Sequence, residues 1–219
     1  MSETVMTYNN TVMSFGSTPK WMAVESDPYN PLGLPPYTMR FQFGNLSYNP
    51  TNSLNPWNTG AQWVRVSTSP NIWDYTRENS NWREEFDSQF QTGNSGTTSL
   101  LGANFSGVTR AHGMFQWCTG LSNLVLFDTS NLTYWGAVFA NSGITSIPQF
   151  PLAASITELS YAFYRCRSVT TGALDMYNRL IATGSVVNHI STFEDCGSGN
   201  ASGQAELARI PTSWGGTMS

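Results

Sequence analysis

The chain has 219 residues, 40% of them hydrophobic and only 11% charged, with a net charge of −4. It is long enough to bury a core as one domain or two small ones. Its charged fraction is under half the usual quarter, so Ser, Thr, Asn, Gln and Gly must build the polar surface. Ten basic residues, Lys20 the only lysine among them, form no basic stripe for nucleic acid or for an anionic membrane surface. No apolar run approaches the ~20 residues of a spanning helix, so neither nucleic acid nor membrane insertion is expected.

The N-terminus, Met1-Ser2-Glu3-Thr4-Val5, has neither the basic nor the apolar region of a secretory signal. Thr4-Val5-Met6-Thr7-Tyr8 is echoed by Thr11-Val12-Met13-Ser14-Phe15 across Asn9-Asn10, a pair suited to a tight turn. This predicts a hairpin, or an arm that pairs with another chain. Residues 27–36 hold four prolines and read as an extended linker, so residues 1–36 form an arm plus linker.

Residues 37–99 read as a small β-rich capping domain. Tyr37-Thr38-Met39-Arg40-Phe41-Gln42-Phe43 and Gln62-Trp63-Val64-Arg65-Val66 alternate as half-buried strands around an Asn- and Pro-rich loop. Residues 69–90 read as helical in pieces, with Ser69-Pro70 as a start and Asn81 with Glu84 as a capping pair. Residues 91–98 read as a loop.

From residue 100 onward a repeat takes over. Phe115, Phe139 and Phe163 stand 24 residues apart, each seven residues after an aliphatic-Thr pair: Val108-Thr109, Leu132-Thr133 and Ile156-Thr157. A fixed period in the twenties marks a solenoid, whose units bury their apolar faces only by stacking. Leu121 and Ile144 read as inward strand residues, residues 172–181 as an inserted helix, and Phe193 as the marker of a final coil. The tail, with Trp214, should close the far end by a short helix and an aromatic plug. The cysteines share one phrase, Phe-x-x-Cys, at Cys118, Cys166 and Cys196. Equivalent positions stack, so they should form a buried ladder with Ser142 between Cys118 and Cys166. Two coils are too far apart for a disulfide between those two.

The phrases Val-Thr-x5-Phe-x-x-Cys-x-x-Leu and Leu126-Phe127-Asp128-Thr129-Ser130-Asn131 resemble the BspA-type leucine-rich repeats of bacterial surface proteins and of gut-bacterial phages. Ser69-Pro70-Asn71-Ile72-Trp73-Asp74, Gly172-Ala173-Leu174 and Ile210-Pro211-Thr212-Ser213-Trp214-Gly215-Gly216 resemble the short phage-associated members. The resemblance implies a right-handed solenoid with a binding or attachment role and no known chemistry. The fold expected is mainly β with short helices: a small β-rich domain, then a short right-handed leucine-rich-repeat-like solenoid over 100–219.

No catalytic, metal or cofactor site emerges. His112 and Cys118 invite a dyad, but Cys118 belongs to the inward ladder and His112 reads as solvated. Glu84, Glu85 and Asp87 read as a solvated face beside Arg83. Repeat-core residues are Phe115, Cys118, Leu121, Phe139, Ile144, Phe163, Cys166, Phe193 and Cys196. Candidate ligand contacts are Arg110, Trp117, Tyr134, Tyr161, Tyr164 and Arg165, because exposed aromatics with Arg serve interfaces and stack on sugars; the alternative reading is that Trp117 and Tyr164 pack on adjacent coils. The expectation is a non-enzymatic, homo-oligomeric phage virion surface protein, decorating the capsid or forming a fibre. It is anchored to other virion proteins by its N-terminal arm and attaches to a host-surface glycan or protein. A bacterial cell-surface adhesin module is the alternative.

Overall fold

The computed structural model describes residues 4–8 and 11–15 as backbone strands, and residues 27–53, 60–186 and 188–218. The chain is mainly β, with open sheets and a few short helices. Strands β1 (Thr4–Tyr8) and β2 (Thr11–Phe15) pair antiparallel from Thr4↔Phe15 to Tyr8↔Thr11. The Asn9-Asn10 turn predicted between them lies outside the described residues.

Alternation of apolar and polar residues makes β3 (Thr38–Phe43) a central strand, with Met39, Phe41 and Phe43 buried. It pairs antiparallel with β5 (Asn71–Thr76) and β7 (Thr98–Asn104) in a five-stranded sheet of order β4-β5-β3-β7-β9, where β4 is Gln62–Thr68 and β9 is Leu121–Leu124. On the opposite face, Arg40 holds Asp74 through two hydrogen bonds of 2.7 and 2.8 Å. The buried Asn71 side chain ties down the β3–β4 loop by donating to the carbonyls of Asn45 and Tyr48, and it accepts from Trp73 Nε1. Residues 27–36 do more than link: Leu34 is buried, and its carbonyl accepts from Asn104 Nδ2 at 2.7 Å.

The helical reading of 69–90 is corrected. Asn71, Trp73 and Tyr75, buried at alternate positions, form β5, and Asn81–Arg83 form β6, which runs parallel to β8 (Arg110–His112). Glu84, taken as the capping partner, has a left-handed φ of 49° and ends β6 instead. In the loop read over 91–98 stands one helical turn, α1 (Thr92–Ser95), with β7 already beginning at Thr98.

Phe86 is the reason for this departure, because it begins the repeat one unit earlier than the 24-residue period shows. Its ring lies 5.2 Å from that of Phe115. The stack continues Phe115–Phe139 at 5.4 Å, Phe139–Phe163 at 5.7 Å and Phe163–Phe193 at 5.6 Å, every pair within 14° of parallel. Each Phe is flanked two residues on either side by a left-handed residue: Glu84/Ser88, Gly113/Trp117, Ala137/Asn141, Tyr161/Arg165 and Ser191/Asp195, with φ of 49–61°. The backbone between them donates to the next repeat, as Phe86 N to Met114 O, Phe115 N to Val138 O, Phe139 N to Ala162 O and Phe163 N to Thr192 O.

The aliphatic-Thr pair has two duties. Val108, Leu132 and Ile156 are buried. Thr133 and Thr157 each donate both the backbone N–H and the hydroxyl to the Thr carbonyl one repeat earlier, at 2.8–3.2 Å, and Thr109 does the same to Ser80. Thr145 and Thr170 repeat the device on the carbonyls of Ser122 and Thr145. A second aromatic column, Phe105–Phe127–Phe150, packs with tilted rings at centroid distances of 4.7 and 4.8 Å.

The inserted helix, α2 (Ala173–Thr183), absorbs the longer spacing before Phe193. Glu206 on α3 (Ala201–Leu207) accepts from the N–H groups of Gly172 and Leu174, placing a carboxylate at the α2 N-terminus. Trp214 is the last rung, 6.5 Å from Phe193, with His189 flat against it at 4.0 Å. One hydrophobic core runs from Met39 to Trp214, through the sheet and every repeat.

Replacing Phe139 by Ala removes a ring from mid-stack and should destabilise by about 3–5 kcal/mol, lowering the melting temperature by roughly 6–20 °C. A drop of only a degree or two would contradict the stacking. Ala137→Gly is expected to be neutral or stabilising by up to ~1 kcal/mol, because glycine accepts φ of 53° without a Cβ clash. Urea midpoints compare it with Ala111→Gly, which empties a buried site and should destabilise.

Candidate binding face

The left-handed residue after each Phe carries its side chain to a surface row: Ser88, Trp117, Asn141, Arg165 and Asp195. Successive members are one rung apart, through Ser88 N to Gln116 O, Trp117 N to Ala140 O, Asn141 N to Tyr164 O and Arg165 N to Glu194 O. Asn and Asp tolerate left-handed backbone, whereas a bulky residue there is uncommon. Trp117 nevertheless sits at φ 59° with 47% of its surface exposed, and it makes no ring–ring contact among the described residues.

Beside it lies an open cleft of about 270 Å³ lined by Trp117, Thr119, Asn141, Arg165 and Arg167. Arg167 Nη2 donates to Asp195 Oδ2 at 3.2 Å, and Arg165 Nε stands 3.8 Å from the same oxygen. The Arg165 guanidinium lies 4.9 Å from the Tyr164 ring, which meets Tyr161 edge-on at 5.4 Å. Four of the six predicted ligand contacts, Trp117, Tyr161, Tyr164 and Arg165, therefore belong to this row and its flank.

Arg110 and Tyr134 belong to a different row, with Glu158, joined by single parallel bridges. The Arg110 guanidinium rests 3.5 Å over the Tyr134 ring, and His112 meets that ring edge-on at 5.6 Å. Glu158 accepts from Asn188 Nδ2 and Ser160 N. Gly136 permits this packing, since a Cβ there would lie 2.8 Å from Tyr134 Cε1 and 2.9 Å from His112 Nδ1. These side chains are engaged with one another.

Sequence reasoning missed Thr119, Asn141 and Arg167 as cleft residues. Superposing the repeats on their Phe markers supplies the signal: 117, 141 and 165 are equivalent, as are 119 and 167.

Two sequence readings are corrected. Glu85 is not solvated: it is 1% exposed and accepts from the Tyr75 hydroxyl and the Arg77 guanidinium. Burial raises its pKa, opposed by those two donors. His112 is half-buried, and its Nδ1 is buried without a hydrogen-bond partner.

Cys118, Cys166 and Cys196 are free and fully buried. The Cys118 and Cys166 thiols donate to the carbonyls of Phe86 and Phe139, each at 2.9 Å, one repeat earlier. Cys118 therefore bonds to backbone and not to His112. Burial pushes both thiols up to about 12, far from the thiolate a nucleophile needs. Among the described residues, no group of three or more His, Cys, Asp or Glu side chains is placed to hold a metal ion.

Comparison with protein families, with curated proteins and with solved structures finds no match.

Burial, with Arg110 and Arg83 nearby, lowers the His112 pKa below its ordinary 6.5, against the opposing pull of Glu84 and Glu158. A depressed folded value means that this contribution to stability is complete above pH 6.5 and is lost as pH falls through the folded pKa. The melting temperature of the wild type relative to His112→Gln should therefore fall between pH 7.5 and 5.5, while Glu85, whose raised pKa acts in the opposite sense, is common to both proteins. Identical profiles for the two proteins would refute it.

Proposed function

We propose that this chain is a non-enzymatic surface protein of a phage virion, decorating the capsid or forming part of a fibre. Residues 100–219 build a short, right-handed, leucine-rich-repeat-like solenoid, displayed for attachment to a host-surface glycan or protein. The β1–β2 hairpin anchors it to other virion proteins in a homo-oligomer. The phage setting rests on the sequence resemblance. The attachment role rests on one observation, an exposed Trp117 in left-handed backbone beside a cleft with two arginines. The coil-to-coil backbone bonds and the five-ring Phe stack support the solenoid.

Host-cell adsorption tests this reading. Purified protein added before infection should slow particle adsorption, and the Trp117→Asn, Arg165→Asn double variant should not compete. Competition that survives both substitutions would remove this face from attachment. Proteomics of purified particles should find the chain at stoichiometric copy number, and its absence would turn the reading toward a bacterial cell-surface adhesin.

A further inference from the structure

We infer that the cleft between Trp117 and Arg165 takes one anionic sugar residue of a longer host glycan, a deepening that rests on the attachment reading above. The first support is the choice of residues at the left-handed positions. The repeat requires φ near +55° at this position whatever the side chain, and Asn141 and Asp195 meet that requirement at low cost. Trp117 and Arg165 occupy the same position at greater backbone cost, and each is close to half exposed. A strained, exposed aromatic that packs on no other ring marks a surface kept for an external partner.

The second support is geometry. Trp117 and Arg165 are two rungs apart, ~9.6 Å at strand spacing, with Asn141 on the rung between them. Asn141 has no side-chain hydrogen-bond partner among the described residues, so its amide is free to donate and to accept. The Thr119 hydroxyl accepts from Thr92 N at 3.3 Å and keeps its own proton for a ligand. The lining thus combines an indole with a hydroxyl and an amide. This suits a sugar ring, with an apolar C–H face and hydroxyl edges, better than a peptide anchor, which wants an apolar pocket. At about 270 Å³ and open to solvent, the cleft falls just below the ~300 Å³ where small-molecule pockets begin. One residue of a chain passing over it fits.

The third support is charge. The chain carries −4 overall, yet two of its ten basic residues face this cleft. Asp195 takes one N–H of Arg167 and sits 3.8 Å from Arg165 Nε, which leaves further guanidinium donors on both side chains without a protein acceptor among the described residues. Guanidinium forks match a carboxylate in pairs. The ligand chemistry is therefore a carboxylated sugar, of the uronic or the sialic type.

The test uses the full chain, with titrations of galacturonic acid oligomers, sialic acid oligomers and neutral galactose oligomers. At least one acidic series should bind, with affinity falling as salt rises, and the neutral series should bind about tenfold more weakly or not at all. Which acidic series binds identifies the source of the carboxylate. Trp117→Asn should weaken binding about tenfold or more while leaving the melting temperature unchanged or higher, because Asn suits the backbone better. Arg165→Asn and Arg167→Gln should abolish the preference for acidic over neutral oligomers. Trp117-dependent binding of neutral oligomers with no acidic preference would overturn the anionic assignment and leave glycan attachment standing. Acidic binding untouched by all three substitutions would overturn the cleft as its site. No binding to any series, with host-cell competition still lost in the double variant, would overturn the sugar ligand in favour of a protein receptor.

Discussion

Five phenylalanines packed face to face hold this molecule in register. Their centroids lie 5.2–5.7 Å apart, slightly more than the ~4.8 Å between hydrogen-bonded strands, so the rings can sit offset over one another. A repeat that slipped by one residue would turn its Phe out of the column and its left-handed pair out of line. The backbone bonds between repeats, the buried thiols and the Thr ladders follow from that alignment. The Cys118 and Cys166 thiols bond the carbonyls of Phe86 and Phe139, the stacked residues one repeat earlier.

The stack needs ends. An open column of aromatic rings would expose apolar surface at both faces, so the two ends are built from unlike parts. The five-stranded sheet turns Phe41 onto Phe86, Phe90 and Phe115 at 5.1–6.3 Å. At the other end Trp214 lies over Phe193, with His189 and Tyr177 against it. The sheet also joins the repeats directly, because β9 pairs parallel with β7. β-rich segment and repeats thus share one sheet and one core across residue 100.

Stability and surface chemistry are set against each other in the left-handed rows. Gly113, Asn141 and Asp195 suit the backbone there, while Trp117, Tyr161 and Arg165 do not. With only 11% of its residues charged, the chain has few groups for recognising a charged ligand. The row through Trp117 and Arg165 brings an exposed indole and two guanidiniums together on one edge of the stack.

The 24-residue Phe period and the inward cysteines were legible in the sequence because each leaves a residue of fixed type at fixed spacing, and the inserted helix before Phe193 because its helical periodicity interrupts that spacing. Phe86 was not legible. It precedes Phe115 by 29 residues, and the stretch around it, with Asn81, Glu84, Trp82, Phe86 and Phe90, carries helix-like spacing that its tertiary partners override. Glu85 was misread for the same reason: only the folded chain brings Tyr75 and Arg77 onto it. Exposed Trp, Tyr and Arg at equivalent positions drew attention to a binding face, yet six candidates separated into two rows. Arg110 lies on Tyr134 within the protein, while Trp117 and Arg165 stand apart across Asn141. The sequence by itself determined the repeat and its inward residues, since burial selects side-chain type locally. Which outward side chains pair with each other and which stay open was decided by tertiary structure alone, because that depends on which neighbour the next rung brings within reach.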